Sequence, residues 1–326
     1  NNHKTKYIQK NSNPPGSKHR LNQAQDGSEY SAVHHKYHPH IRDFLEKFEY
    51  YDIFLVDSDT GDIVYSVFKE LDYGTSLKDG PYADSGIAQA FRDVANTNNK
   101  DSVALVDFQP YLPSYEAQAS FMASPIVGED GNTIGVLIFQ MPIGRINQIM
   151  TSDKKWQEIG LGVSGETYLV GADYKARSLS RFLIEDKPAY LDLMRETGLS
   201  EAVLREIEIK GTNIGLQSIK TDGTSAAAAG EVGFDIFADY RGVSVLSAYT
   251  PLNIPGLNWV LMSEIDEKEA FFNARSLTES IIYNTIVIVL VISALSVFVS
   301  YFIGKTLSSP IISLSQLMNR VEQENN

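Results

Sequence analysis

Residues 280–304 read SIIYNTIVIVLVISALSVFVSYFIG and contain no charged side chain. About 25 helical residues, at about 1.5 Å per residue, cross a hydrocarbon layer about 30 Å thick with some tilt. Because lipid offers no partners to backbone polar groups, a spanning segment of this kind must be a helix. A core helix of a soluble protein is the alternative, but such a helix normally keeps a polar face. The stretch therefore predicts a transmembrane helix.

Charges on the two sides of this helix predict its orientation. Lys305 and Arg320 follow it, and no acid appears until Glu322. Acidic residues precede it, namely Glu264, Asp266, Glu267, Glu269 and Glu279. Since basic residues stay on the cytoplasmic side, residues 1–279 are predicted to lie outside and residues 305–326 inside.

Composition narrows the function classes. The chain has 326 residues, a formal net charge of −13 and no cysteine. An acidic protein is a poor nucleic-acid partner, and the lack of cysteine excludes disulfides, cysteine-bound metals and a thiol nucleophile. No cofactor motif is present. The first residues do not form a signal peptide, so we expect an earlier transmembrane helix before this sequence and a cytoplasmic output domain after it.

The first 48 residues predict a loose segment followed by a long helix. Residues 1–27 are rich in Asn, Ser, Gly and Pro and predict a loosely ordered segment near the membrane. From an N-cap at Ser28, apolar residues recur at helical spacing, with Pro39 predicted to bend or split the helix. The helix carries four histidines, which either bind a metal or are solvated and structural: His34, His35, His38 and His40. The second interpretation is favoured, because no acid or cysteine completes a metal site.

Two similar modules follow, which predicts an α+β fold with antiparallel sheets, repeated once on the long helix. In residues 28–150, a hairpin around the acidic turn 57–62 precedes a short helix, three more strands and a helix. In residues 151–266, a strand pair at 165–178 precedes helical segments, a small flexible stretch at 225–230 and two strands around 253–256. Residues 267–279 form a connecting helix into the span.

Beyond the span, residues 305–326 predict another helix, with Pro310 just inside its start. Its apolar side chains follow a heptad seam formed by Ile311, Leu314, Met318 and Val321. A lone helix cannot bury such a seam, so the pattern predicts a parallel bundle between two copies of the chain.

Aromatic and charged residues near loop edges of the first module predict a small-molecule pocket. These candidates are Tyr65, Lys69, Tyr73, Tyr82, Asp84, Asp107, Tyr111 and Phe121. Asp107 is the strongest, and it either contacts the ligand or caps a turn at its strand end. Lys69 either offers a positive charge to an acidic ligand or lies on the surface. For Arg177 and Arg181, structural ion pairs are favoured over a second site. No catalytic motif is present, so no enzyme activity is predicted.

Three stretches carry a resemblance to a known family: YDIFLVDSDTGDIVYSVFK at 51–69, GETYLVGADYKARS at 165–178 and LSSPIISLSQLMNRV at 307–321. The first two resemble a double Cache sensor domain, and the third resembles the first helix of a HAMP linker. Residues 13–48 and 68–86 are also typical of such receptors. Together they resemble a bacterial methyl-accepting chemotaxis receptor.

This resemblance implies an inner-membrane homodimer with a periplasmic sensor domain, which binds a small molecule and signals to a cytoplasmic domain. The same sensor type occurs on histidine kinases and nucleotide cyclases, which is the alternative. A membrane-anchored binding or adhesion module without signalling is the third hypothesis.

The resemblance also implies a ligand pocket in the first, membrane-distal module. Amino-acid-binding members carry an Arg-x-Trp-Tyr-x-x-Asp-like motif, in which Tyr82 matches the Tyr and Asp84 stands near the acid. Asp79 and Pro81 stand where the Arg and the Trp are expected.

Two more positions follow from the same resemblance. Tyr111 corresponds to a tyrosine on the third strand, and Gln140 replaces the acid expected after the fifth. The absent Arg would clamp a carboxylate and the absent acid would hold an amine. An ordinary α-amino acid is therefore not the expected ligand.

Overall fold

The computed structural model describes residues 2–324. Within them, helices and antiparallel sheets confirm the predicted α+β class. The chain divides into one compact unit up to Glu269 and another from Ala270 onwards.

The N-terminal segment is ordered by a buried tyrosine. It contains α1 (Asn2–Lys4), a π-helical turn at Thr5–Gln9 and a 3-10 turn at Lys18–Arg20. The Tyr7 side chain is fully buried in the core of the first module, and its hydroxyl donates to Ser31 Oγ at 3.1 Å. The loose order predicted for this segment is therefore wrong, because Tyr7 anchors it to the core.

The long helix α2 (Glu29–Phe48) begins at the predicted N-cap, where Ser28 accepts a bond from the Ser31 backbone N–H. It runs through Pro39 without interruption, so the predicted split does not occur. His38 and Leu45, on either side of Pro39, are buried against the module, and this packing offsets the hydrogen bond that proline removes.

The first sheet lies in residues 52–140 and confirms the predicted hairpin and three further strands. Its strands are β1 (Asp52–Asp57), β2 (Ile63–Ser66), β3 (Ala104–Tyr111), β4 (Ala117–Val127) and β5 (Thr133–Gln140). Their order is β2-β1-β5-β4-β3, and all neighbours are antiparallel. Helix α3 (Gly86–Ala95) covers one face, where Ile87 and Phe91 pack with Phe54 and Ile138.

After α4 (Ile143–Thr151), the second sheet lies in residues 166–266. Its strands are β6 (Glu166–Val170), β7 (Gly233–Ala238), β8 (Ser244–Ile254) and β9 (Leu257–Asp266), in the order β6-β9-β8-β7. Between β6 and β7 lie the helices α5 (Arg181–Glu185), α6 (Lys187–Glu196), α7 (Glu201–Lys210) and α8 (Asp222–Ala228).

Two local predictions for this module are wrong. The strand expected after β6 is reduced to isolated bridges at Lys175 and Ala176, because Lys175 pairs with Ser218 while Ala176 pairs with Val170. The flexible stretch expected at 225–230 is largely helix α8. Thr221 and Thr224 form a reciprocal capping box at its start, and the alanines that follow favour a helix.

Helix α9 (Glu267–Ala270) follows β9 directly. The described residues end with helix α10 (Phe272–Ile303), a π-helical turn at Gly304–Ser308 and α11 (Ser309–Glu324). Within residues 2–324, this continuous stretch is the one helix with the length and apolar composition of a membrane span. The seam residues of α11 are exposed, and their pairing stays a prediction.

Candidate functional site

Several polar side chains lie in the core of the first module. We call six of them the polar cluster: Asp52, Glu70, Asp72, Tyr111, Ser114 and Gln140. Asp52, at the start of β1, organises the loop that carries two of the others. Its carboxylate accepts hydrogen bonds from the backbone N–H groups of Val67 at 2.9 Å and Phe68 at 3.2 Å. This holds the chain after β2 so that Glu70 and Asp72 turn towards the core.

Asp72 is fully buried and lies beside an aromatic wall. The Tyr111 hydroxyl donates to Asp72 Oδ2 at 2.5 Å, and the Tyr111 ring packs between Tyr82 and Phe121 at centroid distances of 6.1 and 5.1 Å. Asp72 Oδ1 makes no hydrogen bond with any described residue. Burial raises the pKa of Asp72 to about 6, against the opposing effect of the Tyr111 bond.

Gln140 and Glu70 meet at Ser114. Gln140 Nε2 donates to Ser114 Oγ at 3.0 Å, and Ser114 Oγ lies 3.5 Å from Glu70 Oε2. Gln140 is buried, yet its Oε1 has no partner among residues 2–324. Burial, with Asp52 and Asp72 nearby, raises the pKa of Glu70 to about 8.

Lys69 places a cation inside the module. Its side chain is buried, and its ammonium lies 4.4, 5.4 and 5.8 Å from the ring centroids of Tyr65, Tyr73 and Tyr7. Nζ also donates to the carbonyl of Ser66. Burial lowers the pKa of Lys69 and raises that of Asp52. The alternative prediction that Lys69 lies on the surface is wrong, because its side chain is buried. Its positive charge contacts tyrosine rings and a carbonyl oxygen.

The structure brings most predicted site residues into two neighbouring groups. Tyr65 and Tyr73 surround Lys69. The rings of Tyr82, Tyr111 and Phe121 pack edge to face beside Asp72. Gln140 joins the second group, because it is the cross-strand partner of Phe121. Asp84 does not join either group, since its side chain is exposed.

Asp107 requires a correction. Its two carboxylate oxygens accept from Arg177 Nε and Nη2, each at 2.9 Å, and Trp259 Nε1 donates to Oδ1 at 2.9 Å. Arg177 is 3% exposed and also contacts Asp173 at 2.8 Å. With these donors in place, Asp107 joins the two modules and is not part of the polar cluster. The favoured interpretation of Arg177 as a structural ion pair agrees with this, and Arg181 similarly pairs with Glu185.

Two of the four histidines of α2, His34 and His38, are buried and have structural partners, whereas His35 and His40 are exposed. His38 bonds through Nδ1 to the Tyr65 hydroxyl at 2.7 Å and through Nε2 to the His19 carbonyl at 2.6 Å. His34 bonds to the Asn22 carbonyl at 2.8 Å. Burial, reinforced by Lys69, lowers the pKa of both, to about 2 for His34 and about 3 for His38. Both rings are therefore neutral. Among the described residues, no His, Asp and Glu group has metal-binding geometry.

Sequence reasoning did not single out Asp52, Glu70, Asp72 or Ser114. A weak signal existed for Asp52 and Asp72. Each acid comes directly before residues that are expected to be buried. Asp52 precedes the apolar run 53–56, and Asp72 precedes Tyr73. Burial of a carboxylate in such a position is unusual and indicates a site.

A family profile described as a Cache domain, dCache_1, matches residues 6–274. No curated protein matches the chain. The solved structures that match this chain include the ligand-binding domain of the Pseudomonas aeruginosa PAO1 amino acid chemoreceptor PctC with GABA. That likeness has 13% identity and a TM-score of 0.42, covering 76% of this chain and 84% of the other.

A second similar structure is the ligand-binding domain of the P. aeruginosa PAO1 amino acid chemoreceptor PctB with L-Arg. It has 15% identity and a TM-score of 0.40, with 74% and 78% of the chains covered. The extracellular domain of rpHK1S-Z16, named as a candidate histidine kinase, has 11% identity and a TM-score of 0.43, with coverage of 71% and 76%. Since the profile match spans well over half of its length, this chain belongs to the Cache domain family.

Proposed function

We propose that this chain is the ligand-sensing and transmembrane portion of a bacterial chemoreceptor. A small molecule binds the polar cluster of the first module, and the resulting change passes to a cytoplasmic output domain. Membership of the Cache family supports a sensor, and the single apolar helix of span length in the described residues supports a membrane receptor. A domain of this family is a binding module, which agrees with the predicted lack of catalysis.

One observation carries the binding proposal: the polar cluster contains acceptors without donors. Asp72 Oδ1 and Gln140 Oε1 are buried and unpartnered within residues 2–324. An unsatisfied buried acceptor costs about 1–3 kcal/mol, so a folded core rarely tolerates two in one place. A ligand that donates hydrogen bonds to both recovers this free energy.

The same atoms indicate the chemistry of the ligand. The ligand must carry hydrogen-bond donors. The polar cluster already contains three carboxyl groups, at Asp52, Glu70 and Asp72. The position expected to hold a carboxylate-clamping Arg is Asp79, which is exposed. The ligand is therefore a donor-rich small molecule and not an ordinary α-amino acid.

Transmission is proposed through the second module and β9. At the end of β9, Asp266 pairs with Arg241 at 2.6 Å. In α9, the Glu269 carboxylate accepts from the backbone N–H groups of Val163 and Ser164, each at 2.8 Å. These contacts fix the first turn of the connecting helix to the second module. A shift in that module therefore displaces the helix start. A displacement of about 1–2 Å is the usual scale of helix shifts in allosteric transitions.

The remaining assignments follow from this proposal. The domains are a segment at 1–27, modules at 28–150 and 151–266, a connecting helix at 267–279, a span at 280–304 and the start of a HAMP linker at 305–326. The sensor modules are periplasmic, a further span precedes them, and the seam of α11 pairs with a second copy of the chain.

A stability screen on the whole chain in lipid nanodiscs tests the proposal. A binder of the native state raises the unfolding temperature by mass action. We expect at least one compound of a broad metabolite library to do so, and Asp72→Asn to abolish that shift. Tyr111→Phe removes the hydroxyl that donates to Asp72 and is expected to reduce the shift. Tyr37→Phe, which removes an exposed hydroxyl on α2, is its matched control and should leave the shift unchanged. No shift across the library, or a full shift in Asp72→Asn, contradicts the proposal.

A further inference from the structure

Two glutamates lie side by side in the core of the second module. Glu166 on β6 and Glu264 on β9 are directly opposite cross-strand partners, and each residue is 3% exposed. Directly opposite residues lie on the same face of a sheet, with Cβ atoms about 4.5–5.5 Å apart. The arginines of this region pair with other carboxylates, Arg181 with Glu185 and Arg241 with Asp239 and Asp266. The two buried acids are therefore left to balance each other.

The two carboxyl groups differ in their hydrogen bonds. Glu166 Oε2 accepts from the Arg181 backbone N–H at 2.9 Å, and Glu166 Oε1 accepts from the Tyr240 hydroxyl. Glu264 Oε1 accepts from Ser247 Oγ at 2.9 Å, whereas its Oε2 is buried and has no partner in the described part of the chain. Because donors stabilise the charged form, a single negative charge on the pair belongs on Glu166. Glu264 is the group that takes a proton.

The surroundings of the pair favour the neutral form of Glu264. Burial raises the pKa of Glu264 to about 7, and the charges of Asp239 and Glu166 act in the same direction. Helix α8 packs on this sheet through Gly223, Thr224 and Ala227, none of which titrates. The other titratable or charged groups around the pair are Tyr168 on β6, Asp266 on β9, Asp239, Tyr240 and Arg241 in the turn before β8, Arg181 on α5 and Tyr190 on α6.

The chain next to the pair holds the start of α9. Ser164, two residues before Glu166, accepts through Oγ from the Asp266 backbone N–H at 3.0 Å. The Ser164 backbone N–H donates to Glu269 at 2.8 Å, and the Ser164 hydroxyl donates to the same carboxylate. Asp266 itself lies two residues after Glu264. Since like charges directly opposite each other destabilise a strand pair, ionising both glutamates acts directly on the contacts that fasten α9.

We propose that Glu166 and Glu264 form a proton-binding site through which the second module responds to the pH of its surroundings. With one proton on the pair, Glu264 Oε2 donates to the Tyr168 hydroxyl, which is also buried and unpartnered within residues 2–324. When this proton leaves, two buried charges on neighbouring strands loosen the contact between Ser164 and Glu269, and with it the start of α9. Proton binding does not involve the polar cluster of the first module, whereas its passage to an output domain rests on the transmission proposed above.

A spin label on α9 tests the proposal in the whole chain in nanodiscs. The sequence has no cysteine, so Lys268→Cys, at an exposed position of α9, provides a single labelling site. Between about pH 6 and about pH 8, Glu264 passes from about 90% to about 10% protonated. We expect the electron paramagnetic resonance spectrum of the label to show greater mobility at the higher pH. A spectrum that does not change over this range overturns the proposal.

Three variants of the labelled chain assign the change to the pair. Glu264→Gln imitates the protonated acid and is expected to keep the low-mobility spectrum at both pH values. Glu166→Gln removes the opposing charge, so Glu264 ionises more easily and the midpoint of the mobility change is expected to move to lower pH. Glu231→Gln, which changes an exposed glutamate of the second module, is the matched control and should respond to pH as the unmodified chain does.

Two results contradict the proposal. One is a mobility change that persists in Glu264→Gln or keeps its midpoint in Glu166→Gln. The other is a Glu264→Gln chain that unfolds at a much lower temperature than the unmodified chain at about pH 6, where Glu264 is expected to be neutral already.

Discussion

Asp107→Ala is predicted to weaken the junction between the modules, and not to act on ligand binding directly. The substitution removes the two Asp107 oxygens that accept from the Arg177 guanidinium, one of which also accepts from the Trp259 indole, so three bonds of 2.9 Å are lost. Arg177 is 3% exposed, so its charge stays buried, with Asp173 as the remaining carboxylate.

These contacts determine how much the free energy of unfolding falls in Asp107→Ala. Removing one partner of a buried ion pair costs about 3–5 kcal/mol, because the other charge is left uncompensated. Asp173 compensates part of the Arg177 charge, and the Asp107 side chain is itself 29% exposed. We therefore expect Asp107→Ala to lose about 3 kcal/mol of stability, at the lower end of this range. Asp107→Asn keeps one acceptor and should lose less. For a domain of this size, a loss of about 3 kcal/mol lowers the unfolding temperature by about 6–12 °C.

Tryptophan emission of the whole chain in nanodiscs provides the assay. The sequence has two tryptophans, and Trp259 lies at the junction itself. Its emission is expected to shift to the red in Asp107→Ala, as the indole loses its acceptor and meets water. Asp101→Ala is the matched control, because Asp101 is an exposed carboxylate near the same strand. A loss below about 0.5 kcal/mol, the scatter of surface substitutions, would refute the reasoning.

Three further predictions concern other contacts. Gly215 has φ of +70°, and a Cβ there would clash with the end of the Gln118 side chain. Gly215→Ala is therefore expected to cost about 1–3 kcal/mol in urea unfolding, with partial recovery on adding Gln118→Ala. No recovery would deny the contact. Burial raises the pKa of Glu70 to about 8, so the native state holds a proton that the unfolded state has lost above its ordinary pKa. The chain should therefore lose stability relative to Glu70→Gln as pH rises towards about 8, by at most about 1.4 kcal/mol per pH unit; urea midpoints whose difference is independent of pH would contradict this. Thr221→Ala removes the capping box of α8 and is expected to cost about 1 kcal/mol by thermal unfolding, whereas Thr221→Ser should cost less; equal losses would exclude the cap as the cause.

The parts of the fold that local patterns encode were predictable. Alternation and turn residues predicted the β1–β2 hairpin and the later strands, and Ser28 predicted the start of α2. Contacts between residues far apart in the sequence could not be predicted. Asp107 and Arg177 are 70 residues apart, and nothing in VALVDFQ indicates which of the two sides of its strand meets the second module. Tyr7 was missed for the same reason, since its surroundings are polar and its burial depends on α2.

The candidate site was predictable in its aromatic half. Tyr111 and Gln140 follow from the family resemblance, and they adjoin Phe121. The carboxyl half of the site could not be predicted from the sequence. Glu70 and Asp72 lie in a Gly-rich connection, where acids are normally solvated. The backbone N–H groups of Val67 and Phe68 donate to Asp52, and these long-range bonds help to turn the connection inwards.

A crystal structure with the compound that most stabilises the chain tests the central claim most directly. The account predicts a ligand in the first module, with donors within hydrogen-bond distance of Asp72 Oδ1 or Gln140 Oε1. A compound bound only within the second module, away from both of these atoms, would contradict it.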